Sequence, residues 1–475
     1  MAIDTETRSQ VARATWWSVA VLVLVAVVIR LPLFFSGRSL VFDDGQYGVS
    51  VVDMRHGFAP YTRVFSSQGP LHYPLLYAGD LLGLRTLDAP RVTPLLAGVA
   101  ATLGVWVIAR RLGSTPGVAL VAGLLVATTG TMLWTTGQVT GDGIAMAIMV
   151  WAVWAAVFYR DAPSVGRAVL VGVLVGCALA VKPLVGAALV PIAWWMWSAR
   201  KWRDMLVALG TAIVVWFATA LPWGLGRVYD QSIAYHLGKG PEYSKPFQLG
   251  KLTSLLVERD GIIVMAAALG LVAIVVVGVA GLRTRTDDAV IIGVWIAAAA
   301  FVCVFEKALF ANHLVTVVIP LALLFAVRPP PLRWLAWALV VLVPWTIVNI
   351  SNLLWPGPYR GTEAALMHDL RALPRGVRAM SDDPQYVWRA GLSTPRMLND
   401  VSKMRIDQHD LTTTKALAAA IDPKNCAVVI WTFRFGSLLP GFREGLAAEG
   451  YTKAKEYAPF RELWLRPPCV VPPDQ

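Results

Sequence analysis

Through its first three quarters this chain segregates into long apolar runs separated by short polar turns, without the even alternation of a soluble domain. Runs of that length read as membrane helices. The first, 15–35, is about twenty residues, enough for a hydrocarbon core of ~30 Å. It lacks a small-residue cleavage site and is read as a retained span. Further spans are expected at 92–109, 116–133, 143–158, 168–181, 184–197, 206–221, 262–281, 289–305, 314–327 and 334–354, about eleven in all. After Trp355 the pattern changes. Pro356, Pro358 and Gly361 mark a linker. Strands are expected at 377–380, 427–432 and 462–465, with helices at 411–421 and 438–449. The expected fold class is a polytopic α-helical membrane protein with a small C-terminal α/β domain. Residues 1–355 form the transmembrane domain and 356–475 an extracytoplasmic one.

Composition agrees with this picture. Of 475 residues, 56% are hydrophobic and 15% charged, against about 25% charged in a soluble domain. The net charge of +12 raises nucleic acid as a partner, but much of the excess sits in short loops, where it sets topology. Those loops carry Arg110/Arg111, Arg160/Arg167, Arg200/Lys201/Arg203, Arg283/Arg285 and Arg328/Arg333, and they alternate, so the positive-inside rule makes them cytoplasmic. The loop 43–77, the turns at Asp142 and Lys182, the loop 223–260, the turn 306–313 and the tail then lie outside a plasma membrane. Trp194, Trp195 and Trp197 cluster at a span end, as interfacial anchors do. The four cysteines form no metal cluster; Cys426 and Cys469 fit a disulfide between neighbouring strands if the tail meets an oxidising space.

Candidate chemistry collects on the outer side. Asp43 and Asp44 open a short helix ending near Gly57. An N-cap role on a helix 45–55 accounts for one acid, Asp44, and leaves Asp43 over. Asp142 begins a span; capping is the plain reading, yet an acid at that depth is costly unless paired or solvated. Lys182 follows a run of only fourteen residues, ~21 Å at ~1.5 Å per residue, so Lys182-Pro183 turns below the surface, inside protein or a wet cleft. Snorkelling is the alternative. His236 and His313 are single histidines, and Glu306 and Lys307 adjoin His313, where they also suit a simple pair. A carboxylate base beside cations suits transfer of a group off a phosphate: the base deprotonates the acceptor hydroxyl and the cations stabilise the leaving phosphate.

In order, Asp43-Asp44, Tyr47, Gly57, Gln68-Gly69-Pro70-Leu71-His72-Tyr73, Val139-Thr140-Gly141-Asp142, Gly176 to Pro183, Pro222-Trp223 and Asn312-His313 with Pro320 resemble the C-type superfamily of membrane glycosyltransferases. The likeness covers roughly residues 15 to 330 and points to the protein O-mannosyltransferase and lipid A aminoarabinose transferase branch. It implies an inverting glycosyltransferase moving a sugar from a polyprenyl-phosphate donor to the hydroxyl of a cell-envelope glycan, lipid or protein. Asp43 would be the base and Asp142 an organiser of acceptor or cation, with Asp44 kept in the catalytic set. Lys182, His236, Lys307 and His313 would hold the donor phosphate, and Gln68, His72 and Tyr73 would line the substrate. Many relatives carry Glu-Lys-Pro where this chain has Gln68-Gly69-Pro70, which removes an acid and a cation. A divalent cation is left open and no other cofactor is expected; no Gly-rich phosphate loop is in context. A flippase for lipid-linked sugars and a non-catalytic scaffold are the rivals. The absence of symmetry between halves and the one-sided polar groups argue against the first.

Overall fold

A computed structural model describes residues 5–238, 240, 243–277 and 286–470. Among the described residues five helical segments are long and apolar enough to cross a membrane: Thr15–Phe34, Ala89–Arg111, Gly141–Asp161, Trp202–Trp223 and Asp288–Phe305. Pro116–Thr128 and Gly130–Thr136 pass together but bend by 59°. The remaining apolar runs include shorter helices, among them Val165–Val181, Pro183–Ser198 and Ala311–Val327. Among the described residues five helices, or six with the bent pair, reach that length, and others of the expected spans correspond to these shorter apolar helices. The chain is a multi-pass membrane protein. The expected span 262–281 is the second half of Lys245–Val277, a helix broken at Asp260; the end of that span, 278–281, lies outside the described residues, as do Arg283 and Arg285. Asp260 accepts hydrogen bonds from the Thr131 amide (3.0 Å) and hydroxyl, which holds the start of Gly130–Thr136.

Basic loops meet at one end of the bundle. Arg111 pairs with Asp161 at 2.8 Å, and Arg160 with Asp288 at 2.8 Å. At the other end the acidic helix Phe42–Arg55 lies over the helix ends, two acids in its first turn and Arg55 in its last, as the helix dipole favours. The loop after it re-enters the bundle: the amides of Gly69 and Leu71 donate to the carbonyls of Val181 and Ala180 at 3.1 and 3.0 Å. These are end carbonyls that Val165–Val181 cannot satisfy internally. Trp223 Nε1 fixes the same loop through the Pro70 carbonyl at 3.1 Å.

The tail folds as a four-stranded sheet in the order β1-β2-β4-β3, with β1 Arg378–Ser381, β2 Asn425–Ile430, β3 Thr452–Ala458 and β4 Arg461–Leu465. β1 and β2 are parallel and the other pairs antiparallel. Cys426 and Cys469 are bonded beside the β2–β4 ladder. β3 was not expected: its alternating lysines and small residues carry little apolar signal, which suits an exposed edge. The tail also rests on the acidic helix. Gly48 meets the fully buried Trp388 ring, and a Cβ on Gly45 would stand 2.6 Å from the Gln385 backbone, so small residues let the two elements touch.

Candidate active site

The site is built where four chain segments end at the same level. The acidic helix starts at Phe42, three residues before the expected 45, with Val41 at its N-cap and no side-chain capping bond. Asp44 therefore is not the cap. It is fully buried, meets Arg91 at 2.6 Å, and accepts from the Val139 amide at 2.7 Å. Arg91 in turn donates to the Leu33 and Arg38 carbonyls at 2.9 and 2.7 Å. Asp44 thus ties the acidic helix to the bundle.

Asp43 points elsewhere. It is half-buried and has no hydrogen-bond partner among the described residues. Burial pushes its carboxyl up to about 6; Lys182 and His313 pull it down, and Asp142 and Asp400 push it further up. It is an acid poised between its two forms near neutrality.

Asp142 sits in the first turn of Gly141–Asp161, whose N-cap Thr140 makes no side-chain capping bond. Lys182 Nζ lies 2.7 Å from one Asp142 oxygen, and Asn312 Nδ2 donates to the other at 2.7 Å. The capping reading of Asp142 gives way to an ion pair that accounts for its burial. Lys182 ends Val165–Val181 in extended conformation, ahead of the 3-10 turn Pro183–Ala188. That is the turn within the protein that the short run required. His313 meets Glu306 at 2.6 Å through Nδ1.

The other expected residues divide. Gln68 donates to the Tyr47 hydroxyl at 2.7 Å. His72 is fully buried, its ring 4.7 Å from that of Tyr47, with no hydrogen-bond partner for either nitrogen. Burial, then Lys182, lowers His72 to about 3, so it is neutral. Tyr73 is buried, bonded to Ser50 and the Phe65 carbonyl at 3.0 and 3.2 Å. Its hydroxyl supports the loop. His236 is exposed and bonded to the Ser67 carbonyl at 2.8 Å. Lys307 Nζ donates to the carbonyls of His236 and Leu237 at 3.1 and 2.5 Å. Those two residues brace one another.

The tail supplies what the sequence did not reveal. Asp400 is buried, accepts from Gln46 Nε2 at 2.7 Å, and acts on Asp43. Asn399 holds the Phe65 amide at 2.8 Å and Ser50 at 2.9 Å. Thr394 donates to Asp53 through amide (2.9 Å) and hydroxyl (2.6 Å). These residues lie in coil without periodicity, so no pattern marks them. Arg91 had a signal: a cation starting a span at the acid-bearing end, against the placement of the other arginines. Among the described residues no three His, Cys, Asp or Glu side chains stand together to hold a metal ion, so no step is routed through one.

Residues 68–223 match the family described as dolichyl-phosphate-mannose-protein mannosyltransferase. No curated protein matches the chain. Among solved structures it is similar to ArnT from Cupriavidus metallidurans in the apo state, at 15% identity and TM-score 0.67, over 97% of this chain and 100% of that one. The same protein bound to undecaprenyl phosphate matches at 15% identity and TM-score 0.68, with the same coverage. At that identity the likeness is one of fold. The resemblance to C-type membrane glycosyltransferases of the protein O-mannosyltransferase and aminoarabinose transferase branch holds, in sequence over 68–223 and in fold over nearly the whole chain.

Proposed function

We propose, from a chain with the fold of the C-type membrane glycosyltransferases and the mannosyltransferase signature over 68–223, that this protein is a glycosyltransferase using a polyprenyl-phosphate-linked sugar. The observation that carries the reading is Asp43: an acid without a hydrogen-bond partner among the described residues, raised to about 6, beside the Asp142–Lys182 pair. Undecaprenyl phosphate bound to ArnT, a protein of the same fold, supports a lipid phosphate as the donor's carrier.

In this reading the Asp43 carboxylate takes the proton from an acceptor hydroxyl as that oxygen attacks the anomeric carbon. The bond from that carbon to the phosphate oxygen breaks, and the electron pair leaves on the lipid phosphate. Attack opposite the leaving group inverts the anomeric centre. Lys182, fixed by Asp142, offers its remaining N–H groups to the charge growing on phosphate. Asp44 and Tyr73 hold the framework, and Lys307 braces the backbone at His236. The reaction takes place on the outer side of the membrane, opposite the basic loops, and the acceptor is a cell-envelope molecule.

The test is a transfer assay in membranes containing wild type or Asp43→Asn, with radiolabelled polyprenyl-phosphate sugars offered singly. Turnover of one donor by wild type alone supports the reaction class and the base. Wild-type turnover by Asp43→Asn removes Asp43 from the chemistry. Purified protein that binds no donor lipid overturns the enzyme reading, and the flippase with it, in favour of a non-catalytic scaffold.

A further inference from the structure

We infer that the cavity between the tail and the first turn of Phe42–Arg55 is a subsite for a neutral sugar unit of the acceptor, which makes the acceptor a carbohydrate chain. This rests on the glycosyltransferase reading and extends it to the acceptor's class. The cavity measures about 450 Å³, within the range of small-ligand sites.

Its walls combine two features that sugar rings require and core packing does not. The first is aromatic surface. Phe433 is 51% exposed and Phe42 half-buried, and both line the cavity. The Arg434 guanidinium lies 4.2 Å from the Phe42 centroid and 5.5 Å from that of Phe433. The C–H face of a sugar buries apolar area on such rings while its hydroxyls point outward.

The second is charge in balanced, incompletely bonded pairs. Glu363 and Asp383 line the same cavity as Arg434 and Arg461, and Glu363 also accepts from the Tyr386 hydroxyl at 3.0 Å. Asp383 Oδ2 accepts from Gln385 at 2.8 Å, but its Oδ1 is buried without a partner. Arg434 Nε is also buried without one. The Arg461 guanidinium lies over the Trp431 ring at 4.8 Å and makes no hydrogen bond among the described residues. A vicinal diol suits the groups on this wall: one hydroxyl donates to the Glu363 or Asp383 carboxylate while its neighbour accepts from the Arg461 guanidinium. Two acids disfavour a phosphate, and an acyl chain would leave every one of these atoms unpaired. Equal numbers of acids and cations favour a neutral unit.

Position completes the argument. Phe42 lines the cavity and the next residue is Asp43. Successive side chains on a helix diverge by ~100°, so one helical turn presents an aromatic face to the cavity and the base to the reaction centre. A glycan seated on Phe42 therefore carries its neighbouring unit toward Asp43.

The experiment is saturation-transfer NMR and calorimetry on the purified full-length protein. The probes are neutral tri- and tetrasaccharides of mannose and of arabinose, and a serine/threonine-rich peptide as the competing class. At least one saccharide should bind, and Asp43→Asn should bind it equally well. Phe433→Ala and Arg461→Ala should each weaken saccharide binding about tenfold, the loss of one central contact, with donor-lipid binding unchanged as the control for folding. Binding of the peptide alone, binding of no saccharide, or undiminished saccharide binding in both variants overturns the subsite and leaves the catalytic reading standing. Wild-type transfer by Asp43→Asn does the reverse.

Discussion

Lys182 and Asp142 meet at 2.7 Å between the end of one helix and the start of another. Each charge sits at the helix end that favours it, the acid at an N-terminus and the cation just past a C-terminus. The pair fixes a lysine in a place where a free one would be expensive. It also stands beside Asp43 and acts on it in opposite senses, Lys182 downward and Asp142 upward.

Asp43 predicts the acid limb of the pH profile. A base works as the carboxylate, and burial holds this carboxyl at about 6. Transfer should therefore fall as pH drops through about 6 and be level above it. An initial-rate series from about pH 3.5 to about pH 8, with donor saturating, reads this directly; a limb near the ordinary carboxylate value of about 4 would mean that another group is the base.

The ion pair predicts two shifts of opposite sign. Lys182→Gln removes an influence that lowers Asp43, so the limb should move to higher pH, with donor-lipid binding weakened. Asp142→Asn removes an influence that raises it, so the limb should move to lower pH. Profiles of the two variants that move the same way, or not at all, would separate this pair from Asp43.

How far the sequence carried follows from these residues. Asp43, Asp142 and Lys182 were legible because charge in apolar sequence demands compensation, and the alternating arginines put all three at one end of the bundle. The turn at Lys182 followed from length alone, fourteen residues against a ~30 Å core. Asp44 misled: adjacent acids at a helix start look like a cap, and only the distant Arg91 shows that the second one is a buried tie. Asp400 was invisible. It lies 354 residues after Gln46, its partner, in coil that no period marks, and the fold alone brings it to Asp43. Tyr73 shows the converse, a motif position whose hydroxyl supports a loop.

The Asp44–Arg91 tie predicts a stability effect without a direct role in chemistry. Both side chains are fully buried. Removing one partner strands the other, at about 3–5 kcal/mol. Asp44→Asn and Arg91→Gln should each lower the thermal midpoint in detergent strongly, and the double variant should lose less than the sum, since neither charge is then stranded. A loss below about 1 kcal/mol in Asp44→Asn, together with abolished transfer, would return Asp44 to the reaction.

The Cys426–Cys469 bond predicts which side of the membrane the tail occupies. It closes 43 residues of separation, which the chain-entropy account values at about 4 kcal/mol, and such bonds persist in oxidising spaces. Membranes from growing cells, trapped with acid and alkylated with a mass-tagged maleimide under denaturing conditions, should therefore show two labelled cysteines before reduction, Cys177 and Cys303, and four after it. The double variant Cys426→Ser/Cys469→Ser should label identically with and without reductant and should lose stability in the sheet. Four labelled thiols before reduction would put the tail in a reducing space, and with it the acidic helix and Asp43; the outward placement of the reaction would then be wrong, whatever the assay of transfer showed.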